Sequence, residues 1–266
     1  MNFLSKRRRH AAARPLLLLV ALLMVGVGYS VVSPQQTSAD TEMSQQVEEG
    51  KALFNVTCSS CHGLNGEGTT QGPSLIGVGT ASVNFQVATG RMPAARPEAQ
   101  IPARTPLYSD AQVDALAAYI STWGAGVDVP KESQYSPEGL SAEEIARGGA
   151  LFRANCSACH GIIGNGGALP DGKYAPSLVE TPNIHIWQAM RTGPQQMPVF
   201  SKDVITDDDA REVIGYLNKA HAQPTFGGLG MGENGPVSEG FWVFIFGIGG
   251  LAVIATWIAK KGARAR

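Results

Sequence analysis

Acidic residues are absent from both ends of this 266-residue sequence. No Asp or Glu precedes Asp40 and none follows Glu239, although the chain has 22 of them against 21 Lys and Arg. The formal charge of −1 therefore conceals an acidic middle between cationic ends. Lys6, Arg7, Arg8, Arg9 and Arg14 precede that middle, and Lys260, Lys261, Arg264 and Arg266 follow it. Each basic cluster borders a run without any charge. The run from Pro15 to Val32 follows a basic leader, as a signal-peptide core or an N-terminal anchor does. The run from Phe241 to Ala259, with Trp242 and Trp257 near its ends, has the length and flanks of a transmembrane helix. Basic flanks belong on the cytoplasmic side, which puts the acidic middle outside the membrane. The cations thus serve membrane topology, and no nucleic-acid partner is expected.

Cysteine is nearly absent too. All four lie in two doublets, TCSSCHG at 57–63 and NCSACHG at 155–161. Also missing is any run alternating strongly enough to demand a sheet, which removes the strand–helix setting of a redox dithiol. A zinc ion needs four converging ligands, and adjacent Cys61 and His62 are poorly disposed to share one tetrahedral centre. Pooling both doublets into one site would span about a hundred residues, far beyond zinc-site spacings. Iron–sulfur clusters usually take four thiolates, and each doublet has two. A disulfide within each doublet leaves the repeated histidine unexplained.

C-x-x-C-H is the attachment pattern of haem c. Two thiols one helical turn apart can form thioethers with the two vinyl groups of a haem, and the next histidine reaches the iron. Cys58, Cys61, Cys156 and Cys159 are therefore expected to hold two covalently bound haem c groups, with His62 and His160 as proximal ligands. The repeat nominates Met92 in TGRMP (89–93) and Met197 in TGPQQMP (192–198) for the opposite axial positions. Thioether ligation raises the potential relative to bis-histidine ligation. His185 and Met190 have no counterpart in the first copy, so a surface or packing role is expected of them. His10, His221 and Met231 are expected to be incidental. A backbone carbonyl near Pro73 and near Pro176 is expected to hold the second N–H of each proximal histidine.

The doublets head a longer repeat. EEGKALFNVTCSSCHGLNGEG from Glu48 matches IARGGALFRANCSACHGIIGNGG from Ile145, GPSL (72–75) matches APSL (175–178), and VDALAAYI (113–120) matches AREVIGYL (210–217). One module is used twice. Each opens with a helix ending at its cysteines and closes with another, capped at Ser109 or Thr206. Phe54 with Tyr119, and Phe152 with Tyr216, are expected to join those helices, Gly50 and Gly148 allowing close approach. The long Gly- and Pro-rich stretches between them require a guest to fill the enclosed space. The insert PAARPEAQIPARTP (93–106) occurs only in the first copy, as a partner contact or an ordinary exposed loop. The acidic exterior, including Asp203, Asp207, Asp208 and Asp209, suits a cationic partner or simply solvent.

On CSSCHG, CSACHG, GPSLIGVG, TGRMP, GGALPDGKYAPSL and TGPQQMP, the chain resembles the di-haem cytochrome cc subunits of actinobacterial cytochrome bcc complexes over essentially its whole length. The implied fold is all-α: two tandem class I cytochrome c domains plus a C-terminal transmembrane helix. The expected boundaries are a signal peptide or anchor (1–39), domain one (40–125), a linker (126–144), domain two (145–224), a Gly-rich tether (225–240), a span (241–259) and a cytoplasmic tail (260–266). The resemblance implies an electron-carrying subunit of a menaquinol–cytochrome c reductase in the cell membrane, with extracytoplasmic haem domains and no catalytic site of its own. It also implies three partners: a cytochrome b, a Rieske iron–sulfur protein feeding the first haem, and a cytochrome c oxidase fed by the second. A di-haem subunit of a cbb-type oxidase or dehydrogenase is the first alternative. A catalytic di-haem enzyme or gas sensor would need a vacant iron position, which Met92 and Met197 argue against.

Overall fold

The computed structural model describes residues 13–32, 38–223 and 236–263. The basic leader with His10, most of the expected tether with Met231, and the last three residues lie outside that range. Helix α1 (Ala13–Val32) covers the first uncharged run. Module one comprises α2 (Ser38–Thr57), the single turn α3 (Ser59–His62), α4 (Gly79–Ala88) and α5 (Asp110–Ser121). Module two repeats that order as α6 (Ala142–Asn155), α7 (Ser157–His160), α8 (Asn183–Thr192) and α9 (Asp207–His221). The C-terminal helix runs as α10 (Pro236–Val243), a π turn (Phe244–Ile248) and α11 (Gly249–Ala263).

In each module the opening and closing helices cross as the main packing pair. Glycine permits the crossing: a Cβ on Gly50 would collide with the carbonyl oxygen of Ala115, and one on Gly148 with that of Glu212. Phe54 lies 5.7 Å from Tyr119 and Phe152 lies 5.7 Å from Tyr216, ring centre to ring centre. Both phenylalanines are buried, and deleting such a ring costs about 3–5 kcal/mol. The closing helices start where their caps say. The Asp209 N–H donates to Thr206 Oγ1 at 3.1 Å, and the Ser109 N–H donates to Gln112 Oε1 at 3.1 Å.

Four elements differ from the sequence reading. Each module has a middle helix, α4 or α8, inside the stretch expected to be irregular, and these two helices pack on one another. The opening helix of module one runs for 20 residues and starts at Ser38, ahead of the expected domain boundary at Asp40. The linker is pinned to both modules. The Ala81 N–H donates to the Val127 carbonyl at 2.9 Å, the Val129 N–H to Thr80 Oγ1 at 3.0 Å, and Arg211 Nε to the Ser136 carbonyl at 2.8 Å. Module two also contains a two-residue antiparallel hairpin, β1 (Gly167–Ala168) with β2 (Tyr174–Ala175). That hairpin takes up the extra length module two has between His160 and Pro176.

Gly240–Lys261 is a 22-residue helix apolar enough to cross a membrane by length and composition. It begins inside the expected tether, since α10 starts at Pro236. Its Phe, Leu, Ile and Trp side chains are exposed, as are the leucines of α1. Surfaces of that kind suit hydrocarbon.

Candidate functional site

The doublets form the turns α3 and α7. The His62 N–H donates to the Cys58 carbonyl at 3.0 Å and the His160 N–H to the Cys156 carbonyl at 2.9 Å, so both thiols of each pair share one helical face. Gly63 and Gly161 then stop each turn at φ +82° and +78°, a backbone region that Cβ-bearing residues avoid. The chain returns over the histidine in both copies: the Gly68 N–H meets the His62 carbonyl at 2.7 Å, and the Gly166 N–H meets the His160 carbonyl at 2.8 Å.

His62 and His160 are buried. His62 Nδ1 donates to the Pro73 carbonyl at 2.7 Å, and His160 Nδ1 donates to the Pro176 carbonyl at 3.1 Å, as the sequence led us to expect. That bond leaves Nε2 with its lone pair, the form that binds metal. Burial pushes His160 below its ordinary pKa, favouring the neutral imidazole, a trend the Pro176 carbonyl partly opposes. No disulfide joins any of the four cysteines. Burial pushes Cys58 up, opposed by a hydrogen bond from Thr57 and reinforced by Cys61. Burial, with Cys159 adding to it, pushes Cys156 up to about 11. Reactive dithiols have the opposite perturbation. Among the described residues, no three His, Cys, Asp or Glu side chains gather round one point, so no zinc-type ligand set accompanies the thiols.

Met92 and Cys58 pack against the module-one core, Met197 and Cys156 against the module-two core. A cavity of about 520 Å³ in module two brings Cys156, Cys159, His160 and Met197 to one enclosure, lined also by Phe152, Leu178 and Leu217. The loop bearing Met197 is braced from behind. Arg191 donates to the Phe200 carbonyl at 2.9 Å and to the Ile205 carbonyl at 2.6 Å, and pairs with Asp207 at 2.9 Å. Asp207 therefore does not belong to the free acidic exterior.

Other side chains take positions that sequence reasoning missed. His185 lines the cavity and its Nδ1 donates to Gln188 Oε1 at 2.9 Å, with Phe85 of module one at 6.0 Å from its ring. His221 Nε2 donates to the Ile163 carbonyl at 2.6 Å, tying the closing helix to the loop after the second doublet. Met190 is core. The 93–106 insert is neither an open loop nor free for a partner along its whole length: Gln100 and Ile101 are bound to module two.

The model of the family described as Cytochrome c matches residues 47–123, and that described as Cytochrome C oxidase, cbb3-type, subunit III matches residues 143–217. Over 270 residues the chain is 40% identical to the cytochrome bc1 complex cytochrome c subunit of Corynebacterium diphtheriae, covering 96% of each. It is 42% identical over 261 residues to the subunit of the same name from Mycobacterium bovis, covering 96% of this chain and 93% of that one. The chain belongs to this family of cytochrome c subunits. A thiosulfate dehydrogenase of Allochromatium vinosum is 26% identical, over 77% of this chain and 83% of its own.

Two cytochrome c domains in a mostly helical chain imply haem c, and the side chains fit it. Each module offers two cysteines on one turn and a buried imidazole whose Nδ1–H is taken by a carbonyl, leaving Nε2 for a metal. In module two these border an apolar cavity with a thioether on its wall. Cys58, Cys61, His62 and Met92 would hold one haem, and Cys156, Cys159, His160 and Met197 the other.

Proposed function

We propose that the chain is the membrane-anchored di-haem subunit of a respiratory quinol-oxidising complex. It takes electrons from a Rieske iron–sulfur protein beside a cytochrome b, receives them at module one and delivers them from module two to a cytochrome c oxidase. The reading rests on one observation above all: both modules hold a buried histidine by the same Nδ1–H to proline-carbonyl bond, beside two thiols on one turn. When bound, each haem supplies a one-electron iron couple with little change in its surroundings. The chain's own part is to fix the ligands. Pro73 and Pro176 orient the imidazoles, Arg191 braces the methionine loop of module two, and the apolar walls exclude water, which favours the less charged reduced state. The C-terminal helix anchors the modules on the outer side of the cell membrane, its basic end inside.

The module-two match favours a second reading, a subunit of a cbb-type oxidase, but full-length similarity supports the bc1 assignment. Affinity purification of the tagged chain in mild detergent distinguishes them. We expect two haems c per chain by pyridine haemochrome, co-purifying cytochrome b and Rieske proteins, and reduction of both haems by menaquinol. Fewer than two haems would refute the di-haem site. Two haems that copurify with oxidase subunits alone and ignore menaquinol would refute the assembly.

A further inference from the structure

The two copies differ chiefly by their inserts, the 93–106 segment of module one and the hairpin of module two, and these inserts meet. Gln100 Oε1 accepts the Tyr174 N–H at 2.9 Å while Gln100 Nε2 donates to the Tyr174 carbonyl at 2.5 Å, a side-chain amide taking the place of a neighbouring strand. At the next residue of the insert, Gln195 makes the same reciprocal pair with Ile101. The Ile101 N–H donates to Gln195 Oε1 at 3.2 Å, and Gln195 Nε2 donates to the Ile101 carbonyl at 2.8 Å. Gln195 sits at φ +58°, two residues before Met197. From the clasps onward, Ile101, Pro102 and Ala103 form part of the wall of the module-two cavity.

Arg91 completes that wall. It is the one Lys or Arg among the residues lining the cavity, its guanidinium lies 4.8 Å from the centre of the Phe85 ring, and no carboxylate pairs with it among the described residues. The guest for which this cavity is built, on the reading proposed above, carries two carboxylates. Because Arg91 belongs to module one, module two contributes no Lys or Arg to this lining, and Glu180 is the only acid in it.

We propose that the second haem site is composite: Arg91 of module one supplies the cation that meets the haem carboxylates in module two, and the 93–103 strap, latched by Gln100 and Gln195, closes the cavity beside Met197. The two redox sites are thereby coupled by adjacent residues, since Arg91 precedes Met92 in the chain. Loss of the Arg91 charge leaves the carboxylates uncompensated and favours ferric iron, so the potential of the second haem falls while that of the first stays.

The proposal rests on haem c occupying module two, and the test separates the two. Pyridine haemochrome first counts haems in the purified full chain; a count below two in the wild type refutes the haem reading, not the strap. A two-wave potentiometric titration then follows, the waves being assigned with Met197→His, which lowers the second. In Arg91→Gln the reduced-to-oxidised ratio of the second haem should fall about tenfold at fixed potential, a shift of about 59 mV for one electron, and Arg91→Lys should restore most of it. A shift confined to the first wave, or none, overturns the proposal. Gln100→Ala/Gln195→Ala keeps every charge and serves if Arg91→Gln retains only one haem. It should let carbon monoxide bind at one ferrous iron and weaken the thioether-to-ferric-iron absorption band. Carbon monoxide binding unchanged from the wild type in that variant overturns the strap's role.

Discussion

Gln188 donates its side-chain amide N–H to Asn84 Oδ1 at 2.9 Å, across the contact between the middle helices of the two modules. Its oxygen takes the Nδ1–H of His185, and Gln188 itself is fully buried. Gln188→Leu would leave both partners, themselves half-buried, without their bond, at about 1 kcal/mol each. Wild type should unfold in one calorimetric transition because the modules share this seam. The leucine variant should unfold in two, module two first. A single unchanged transition would show that the seam carries no cooperativity.

The crossing of opening and closing helices depends on a missing side chain. Gly148→Ala sets a methyl against the Glu212 carbonyl, and Gly50→Ala sets one against that of Ala115, both backbone atoms that cannot turn aside. Each substitution should destabilise its own module by about 1–3 kcal/mol, the usual range for overpacking. Guanidinium unfolding curves of the two variants measure this. Midpoints unmoved from wild type would mean that the helices slide apart at no cost.

Asp207 should make module two sensitive to acid. Burial alone would raise its carboxyl, but hydrogen bonds from Lys202, Gln134, Arg191 and Trp187 outweigh burial and hold it well below the usual carboxylate range. Its folded-state value thus lies below its unfolded one, so the stabilisation is complete above about pH 4 and is lost as pH falls further. Asp207→Asn should cost about 3 kcal/mol at neutral pH, because it strands the buried Arg191 charge. The same variant should flatten the loss of stability between pH 4 and pH 2. Parallel pH profiles for wild type and variant would contradict the role assigned to this carboxylate.

Much of the site was legible because its chemistry is local. Cys58, Cys61 and His62 lie within one turn, and the proline carbonyl that holds His62 belongs to a block repeated in order. Gly50 and Gly148 were legible for the same reason, since two copies of one crossing show which position tolerates no Cβ. The middle helices were not. In α4 the buried residues Ala81, Val83, Phe85 and Val87 fall at alternate positions, a spacing that gives a helix no single apolar face. The helix is viable because it is covered on two sides, by α5 and by α8 of the other module. Contacts between copies left no mark either: Gln100 and Gln195 bind backbone atoms, which any sequence could supply.

The C-terminal helix should be a sufficient anchor by itself. Its apolar residues find no enclosure in the protein, with Leu251 at 67% and Ile254 at 53% exposure. Lys261 sits 4.1 Å from the Trp257 ring centre, an aromatic and a cation paired at the end of the span where headgroups begin. Because α1 is also long and apolar, the test replaces residues 1–37 with a cleavable secretion signal, so that only the C-terminal helix can retain the protein. Alkaline extraction should leave this chain in the membrane pellet. Leu251→Arg/Ile254→Arg charges the middle of the span at about 2.5–3.5 kcal/mol per residue, and should release the chain to the supernatant with its haem count unchanged. Retention of the doubly charged variant would mean that the modules bind the membrane through another surface, and that the helix does not hold them there.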